Sequence, residues 1–423
     1  MSNLDDVQNM AEFGGGRTRS GKVTLLPDPE PRERFFPIIS VDDHIVEPPD
    51  MFQGRFPARL QKEAPKVVEM EDGAQLWEFD GNRYPNVGFN AVVGRPLDEY
   101  SMEPARFDEM RRGCWDIHER VRDMDLNGIA ASLNFPSLLP GFAGTKFADA
   151  TDPEVGLAAV RAWNDWHLEE WAGPYPDRII PCQVAWLNDP QIAAEEIVRN
   201  AERGFKAVSF CELPEKIGRP SLHTGHWDPF LRACEETGTV ICLHVGSSAT
   251  TITSATDAPM ETIPALFPVN SMIATVDWLF SKIPLRFPEI RIMMSEGGIG
   301  WVPSLMDRID HNFRYHGYTS GWSMTGDESQ LLPSEVLRRN FWFCAIEDPS
   351  GFRLRDRTGV SQITVESDYP HADSTWPDTQ KVLADQFVGI PREEVLDMTY
   401  RNAERLFRHR LPDYLTATGE PAS

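Results

Sequence analysis

The chain alternates short, continuous apolar runs with longer segments of mixed polarity. Eight runs stand out: FPIISV, GIAASLNFP, RIIPCQVAWL, FKAVSF, TVICLHV, RIMMSEGG, NFWFCAI and QITVESD. Nearly all are apolar without alternation, as expected of parallel strands covered on both faces; a half-exposed strand would alternate with period two. The segments between them carry apolar residues at helical spacing. In PQIAAEEIVRNAERG these are Ile192, Ala193, Ile197 and Ala201, and Gly204 provides a stop. In WDPFLRACEETG, Asp228 is placed to cap a helix that carries Phe230, Leu231 and Cys234 and ends at Gly238. SMIATVDWLFSKIPLRFP and PREEVLDMTYRNAERLFRH follow the same pattern. Strand and helix alternate eight times at a spacing of about 30 residues. This predicts an α/β fold, a (β/α)8 TIM barrel. The alternative is a doubly wound open sheet, but neither G-x-G-x-x-G after a strand nor G-x-x-x-x-G-K-[ST] occurs.

The flanks lack this pattern. EFGGGRTRSGK and PDPEPRER are rich in Gly, Pro and charge, so residues 1–34 are expected to form a flexible N-terminal arm. Residues 35–412 would be the barrel, and 413–423 a C-terminal tail. The stretch 53–115 is long for a strand–helix connection and is read as an insertion after the first strand, over the barrel mouth. Within it, LWEFDGNRYPNVGFN predicts a hairpin around Asp80-Gly81-Asn82.

Charge narrows the partners. A net charge of −24 argues against nucleic acid and against anionic membranes. No apolar window approaches the ~18 residues of a membrane span, and no apolar signal segment precedes the first strand. The six cysteines form no C-x-x-C pair, and four sit inside the apolar runs. They read as buried free thiols in a reducing compartment, so a cytoplasmic location is expected. The expected partner is a small-molecule substrate, and a homo-oligomer, a dimer, is expected.

Function in this fold lies at the C-terminal ends of the strands. The first run ends in Asp42-Asp43-His44, with Glu47 just beyond. A spacing of two puts Asp42 and His44 on one face and turns Asp43 away. The fifth run ends at His244, the sixth at Glu296, and the eighth at Asp368 with His371 three residues on. Alone, each has an ordinary reading: a strand-end histidine is usually a satisfied core residue, and a strand-end aspartate a helix cap. Together, four strands bring Asp, His, His, Glu and Asp to one end of one barrel. Burying that much unpaired charge costs several kcal/mol per ion, and a divalent metal resolves it. Trp301 and Trp376 follow the sixth and eighth runs and are candidates for aromatic pocket walls or for packing between loops. His223 and His226 suit a rim role, and His118, His167, His311, His316 and His409 lie on helical segments away from the site.

Five stretches in this order, VDDHIVEPPDMF, WDPFLRACEETGTVICLHVGSS, SEGGIGWVPSLMDRID, SDYPHADSTWP and RNAERLF, resemble the amidohydrolase superfamily. The nearest group within it is the amidohydrolase-related family of metal-dependent hydrolases and decarboxylases. The resemblance covers roughly residues 36–410. It implies that Asp42 and His44 are the first-strand ligands, His244 the fifth-strand ligand and Asp368 the eighth-strand aspartate. Two departures matter. Ser295-Glu296 stands where many members keep a catalytic histidine, and Lys206 lies only near the start of its strand, so no carbamylated bridging lysine is expected.

The chemistry expected is metal-dependent hydrolysis. A Zn, Mn or Fe ion would lower the pKa of a bound water toward ~7. Asp368 would bind metal and take the water's proton, with Glu296 or His371 as relay. One ion is expected. Seven potential ligands (Asp42, His44, Glu47, His244, Glu296, Asp368, His371) leave a second ion open. Non-oxidative decarboxylation and oxygenation at a dinuclear Fe or Mn site are the alternatives; a non-catalytic binder is the third class.

Overall fold

The computed structural model describes residues 23–101, 104–255, 257–259, 261–320, 322 and 331–417. All eight apolar runs form strands. β1 spans Ile39–His44. Three short strands follow: β2 (Lys66–Glu69), β3 (Gln75–Phe79) and β4 (Asn82–Tyr84). Then come β5 (Ala131–Phe135), β6 (Ile179–Ile180), β7 (Cys182–Val184), β8 (Ala207–Phe210) and β9 (Val240–His244). β10 (Ile292–Ser295), β11 (Phe341–Ala345) and β12 (Ile363–Val365) complete the set.

The main sheet is parallel throughout, in the order β6-β5-β1-β12-β11-β10-β9-β8-β7. Its two ends, β6 and β7, are one segment of chain with only Pro181 between them. Proline has no N–H to give to a ladder, so pairing to β5 stops there and pairing to β8 begins; the Pro181 carbonyl accepts the Lys206 N–H at 2.9 Å. The sheet therefore closes on itself as an eight-stranded barrel. Its floor packs Ile39, Val41, Val240, Cys242 and Met293 against Phe407, Leu411 and Leu415. The last two belong to the C-terminal stretch, where a short helix, Asp413–Thr416, docks on the barrel.

One irregularity decides how β1 presents its side chains. Its register to β5 slips between Ser40 and Asp43. Ile39 and Val41 belong to the cluster at the barrel floor, so strict alternation would carry Asp43 inward. The bulge reverses this and aims Asp42 and His44 inward. Asp43 instead accepts hydrogen bonds from Ser40 Oγ (2.9 Å), Ser367 Oγ (2.7 Å) and the Tyr369 N–H (3.1 Å), clipping β1 to the end of β12.

The expected hairpin is present: β3 and β4 pair across Asp80 and Gly81, both with positive φ (51° and 75°). Trp77 and Phe79 anchor this small sheet on Phe52 and Phe147. Helix Pro190–Arg203 ends at Gly204, as its sequence predicts. Asp228 corrects an expectation. It is the first residue of helix Asp228–Thr237 and makes no capping bond, because Arg286 takes its carboxylate at 2.6 and 2.5 Å. All six cysteines are buried and unpaired. Among the described residues, no helix is long and apolar enough to cross a membrane.

Residues 1–22 and 418–423 of the expected arm and tail lie outside the described residues. Residues 23–34 are tied to the barrel rather than loose. Leu26 N–H donates to Gly94 O (2.7 Å), Asp28 pairs with Arg111 (2.8 Å) and Arg122, and Arg32 pairs with Asp378 (2.7 Å). Removing residues 1–34 should accordingly lower Tm by about 2–4 °C. An unchanged thermal midpoint, read by differential scanning calorimetry, would show that these contacts add no stability.

Candidate metal centre and cleft

His44 closes β1 and His244 closes β9; Glu296 follows β10 directly, and Asp368 lies just past β12. Glu296 and Asp368 hold left-handed backbone conformations, φ 63° and 50°. Side-chain residues rarely adopt these without a compensating constraint, and such strain collects at functional sites.

The side chains converge. His44 Nε2 lies 3.1 Å from His244 Nε2, 3.4 Å from Asp42 Oδ1 and 3.5 Å from Asp368 Oδ1. His244 Nε2 is 3.6 Å from Asp42 Oδ1 and 3.4 Å from Glu296 Oε2. His371 Nδ1 is 3.0 Å from Asp368 Oδ1, and its ring lies 3.9 Å from that of His44. His244 Nδ1 is 2.6 Å from the Val245 carbonyl; a proton held there leaves Nε2 as a free lone pair facing the centre. Burial drives His44 well below its usual pKa and His244 to about 3, so both imidazoles are neutral and ligand-competent.

The buried acids fall into two kinds. Glu47 accepts the Ser137 N–H (3.0 Å), the Trp163 Nε1–H (3.1 Å) and the Ser137 hydroxyl. Asp43 accepts three hydrogen bonds as described. Protein donors satisfy these two. Both oxygens of Asp42 and both of Asp368 accept none, although the residues are 0% and 1% exposed. Burial and neighbouring carboxylates push Asp42 and Glu296 well above the usual range. Among the described residues, no lysine or arginine pairs with either. Orphaned carboxylates beside neutral histidines are what a divalent cation fits.

The structure thus brings together Asp42, His44, His244 and Asp368, with Glu296 and His371 at the edge. It does not bring in Glu47, whose carboxylate is bound to Ser137 and Trp163. Nor do Trp301 and Trp376 line the pocket. Trp301 donates to Gly297 O and packs on Phe343, while Trp376 donates to Asp123 O beneath Arg111. The remaining histidines sit elsewhere: His167 stacks on Trp163, His223 pairs with Asp277, His226 contacts Trp227, His118 meets Tyr175, His311 meets Tyr315, and His409 reaches Asp177 O. His316 lies on helix Val302–Ser320.

A cleft of about 780 Å³ opens above the centre. Its floor includes His244, Glu296 and His371. Phe89 and Tyr100 of the insertion, Phe142, and Ile263 and Phe267 form apolar walls. That volume suits a small organic molecule. Sequence reasoning missed several groups. Lys146 lines the cleft with its Nζ unpaired, shielded from solvent and 4.5 Å above the Tyr84 ring; burial pulls it down to about 7. Glu212 accepts from the Gly246 N–H (3.0 Å) and Asn270 (2.9 Å), fixing the turn after His244. Glu366 and Cys344 lie below the mouth. Period two on β12 would have exposed Glu366, two residues before Asp368.

Barrel and donor set together define a metal-dependent enzyme of the TIM-barrel type. The chain belongs to the amidohydrolase family, whose model matches residues 59–409. Among solved structures it is similar to an amidohydrolase from Mycobacterium avium subsp. paratuberculosis (20% identity, 89% of this chain and 99% of that one, TM-score 0.70). It is also similar to 5-carboxyvanillate decarboxylases from Sphingomonas paucimobilis (19%, 88% and 99%, 0.58) and Novosphingobium aromaticivorans (18%, 92% and 100%, 0.61). The latter was solved with manganese and a nitrobenzoic acid.

His44→Ala and His244→Ala should each lower bound metal at least tenfold with an unchanged circular dichroism spectrum, whereas Glu47→Gln should keep it. Elemental analysis of the three variants checks this; full occupancy in both histidine variants would contradict the assignment.

Proposed function

We propose that the protein is a metal-dependent hydrolase of a small organic substrate held in this cleft. The observation that carries the reading is Asp368: buried, accepting no hydrogen bond, beside His44 and in contact with His371. Asp42, His44, His244 and Asp368 would hold the cation. A divalent ion there supplies Lewis acidity, lowering the pKa of water toward ~7 and polarising a carbonyl. Asp368 takes the proton of the attacking water. His371 Nδ1, 3.0 Å away, receives it and passes it to the leaving group in the cleft. Glu296 Oε2, 3.4 Å from His244 Nε2, orients the water. The apolar walls exclude bulk solvent and favour a flat, aromatic-sized substrate. The density of carboxylates around the centre favours a neutral reacting carbonyl over an anionic one.

A second reading is non-oxidative decarboxylation of an aromatic acid. Two observations favour it: the likeness to a manganese-bearing 5-carboxyvanillate decarboxylase, and Lys146, an amine with no hydrogen-bond partner on the cleft wall.

A substrate panel separates the two. Metal-loaded protein should hydrolyse members of a set of aryl esters, anilides and lactones and release no CO2 from hydroxylated benzoates. Glu296→Gln should keep wild-type metal content and lower kcat by about 10²-fold or more. CO2 release without hydrolysis would install the second reading.

A further inference from the structure

Below the mouth, the barrel holds a second group of donors, two of which the hydrolytic machinery does not use. Asp42, Glu366 and Cys344 come from β1, the end of β12 and β11, which are neighbours in the sheet. One donor atom from each lies within 4.8 Å of the others. All three are buried, at 0%, 2% and 0% exposure. Glu366 directly follows β12, and Asp368 lies two residues further on, in a left-handed backbone conformation.

Asp42 belongs to both groups. Its Oδ1 lies near His44 and His244, and neither of its oxygens accepts a hydrogen bond. A carboxylate so placed can face one cation with each oxygen. Charge points the same way. Asp42, Glu366 and Asp368 are buried carboxylates and Glu296 beside them is 15% exposed; among the described residues no lysine or arginine pairs with any of the four. The His44 and His244 imidazoles are neutral. One divalent ion offsets two of the four carboxylate charges; a second offsets the other two and leaves only a Cys344 thiolate to balance.

We propose that the barrel binds a second divalent cation, ligated by Asp42, Glu366 and Cys344, beneath the ion at the mouth, with Asp42 bridging the two. It rests on the reading of the mouth as a metal centre and deepens it. A thiolate among carboxylates selects borderline ions such as zinc, iron or cobalt over magnesium or calcium. An ion so buried meets no substrate itself; it would act by balancing the carboxylates and fixing Asp42 beside the upper ion. The competing arrangement is a metal-free pair, in which the Cys344 thiol donates to Glu366.

The test uses the full chain, stripped with chelator, reloaded with excess cobalt(II) and desalted. Metal per chain is measured by mass spectrometry, and the near-ultraviolet absorption is recorded. We expect two cobalt ions per chain and a thiolate-to-cobalt charge-transfer band. Cys344→Ser and Cys344→Ala should abolish the band, and Glu366→Gln should lower the ratio from two to one, with circular dichroism confirming the fold. One cobalt per chain, no band and no effect of Glu366→Gln would overturn the second site while leaving the mouth intact. No bound cobalt in the wild-type chain would overturn both.

Discussion

Unpaired negative charge at the C-terminal end of the barrel is the constraint around which the molecule is arranged. Asp42 and Asp368 are buried with no donor to either oxygen, Glu296 beside them is only 15% exposed, and Glu366 sits just beneath. Water would solvate these groups in an open chain; the fold removes that water and, among the described residues, pairs no lysine or arginine with them. The cost is several kcal/mol per ion in a protein interior. A chain that keeps such a cluster is built to take its counter-charge from outside.

The surroundings treat other acids quite differently, which makes the contrast informative. Asp43, adjacent to Asp42, accepts three hydrogen bonds, although burial still raises its carboxyl to about 6. Glu47 accepts three more from Ser137 and Trp163. Arg120 donates to the His44 carbonyl and lies over the Tyr369 ring, bracing the turn from behind. The fold can satisfy a buried carboxylate where it needs one for structure. At Asp42 and Asp368, on residues held partly by a bulge and a left-handed backbone, it does not, and these are the oxygens that a divalent cation fits.

Much of this was legible in the chain. Eight continuous apolar runs gave eight barrel strands, because burial on both faces leaves a compositional trace that needs no partner to read. Asp42, His44, His244 and Asp368 could be placed together because strand ends in this architecture share one mouth. What was not legible depends on distant residues. Glu47 looked like a ligand because it follows Asp42 and His44 so closely in sequence; Ser137 and Trp163, which satisfy it, lie 90 and 116 positions away. The bulge in β1 is a slip in pairing to β5 that no local pattern announces. Glu366 was passed over because only strand tips were considered, although its two-residue offset from Asp368 carried the signal. Lys146 lies on a short helix, Thr145–Ala148, and its place at the cleft depends on the distant insertion that carries Tyr84.

The central claim is that a cation from solution balances this cluster, and stability against pH tests it most directly. In the metal-free chain, burial first and neighbouring charge second raise Asp42 and Glu296, and burial brings Glu366 to about 8. Unfolded, these groups titrate near 4, so above that pH the unfolded chain binds fewer protons and folding stability falls as pH rises. The Tm of stripped protein should therefore decline from about pH 5 to about pH 8. Protein reloaded with zinc or manganese should hold its Tm, so the gap between the two widens with pH. Equal midpoints for stripped and reloaded protein across that range would contradict the account.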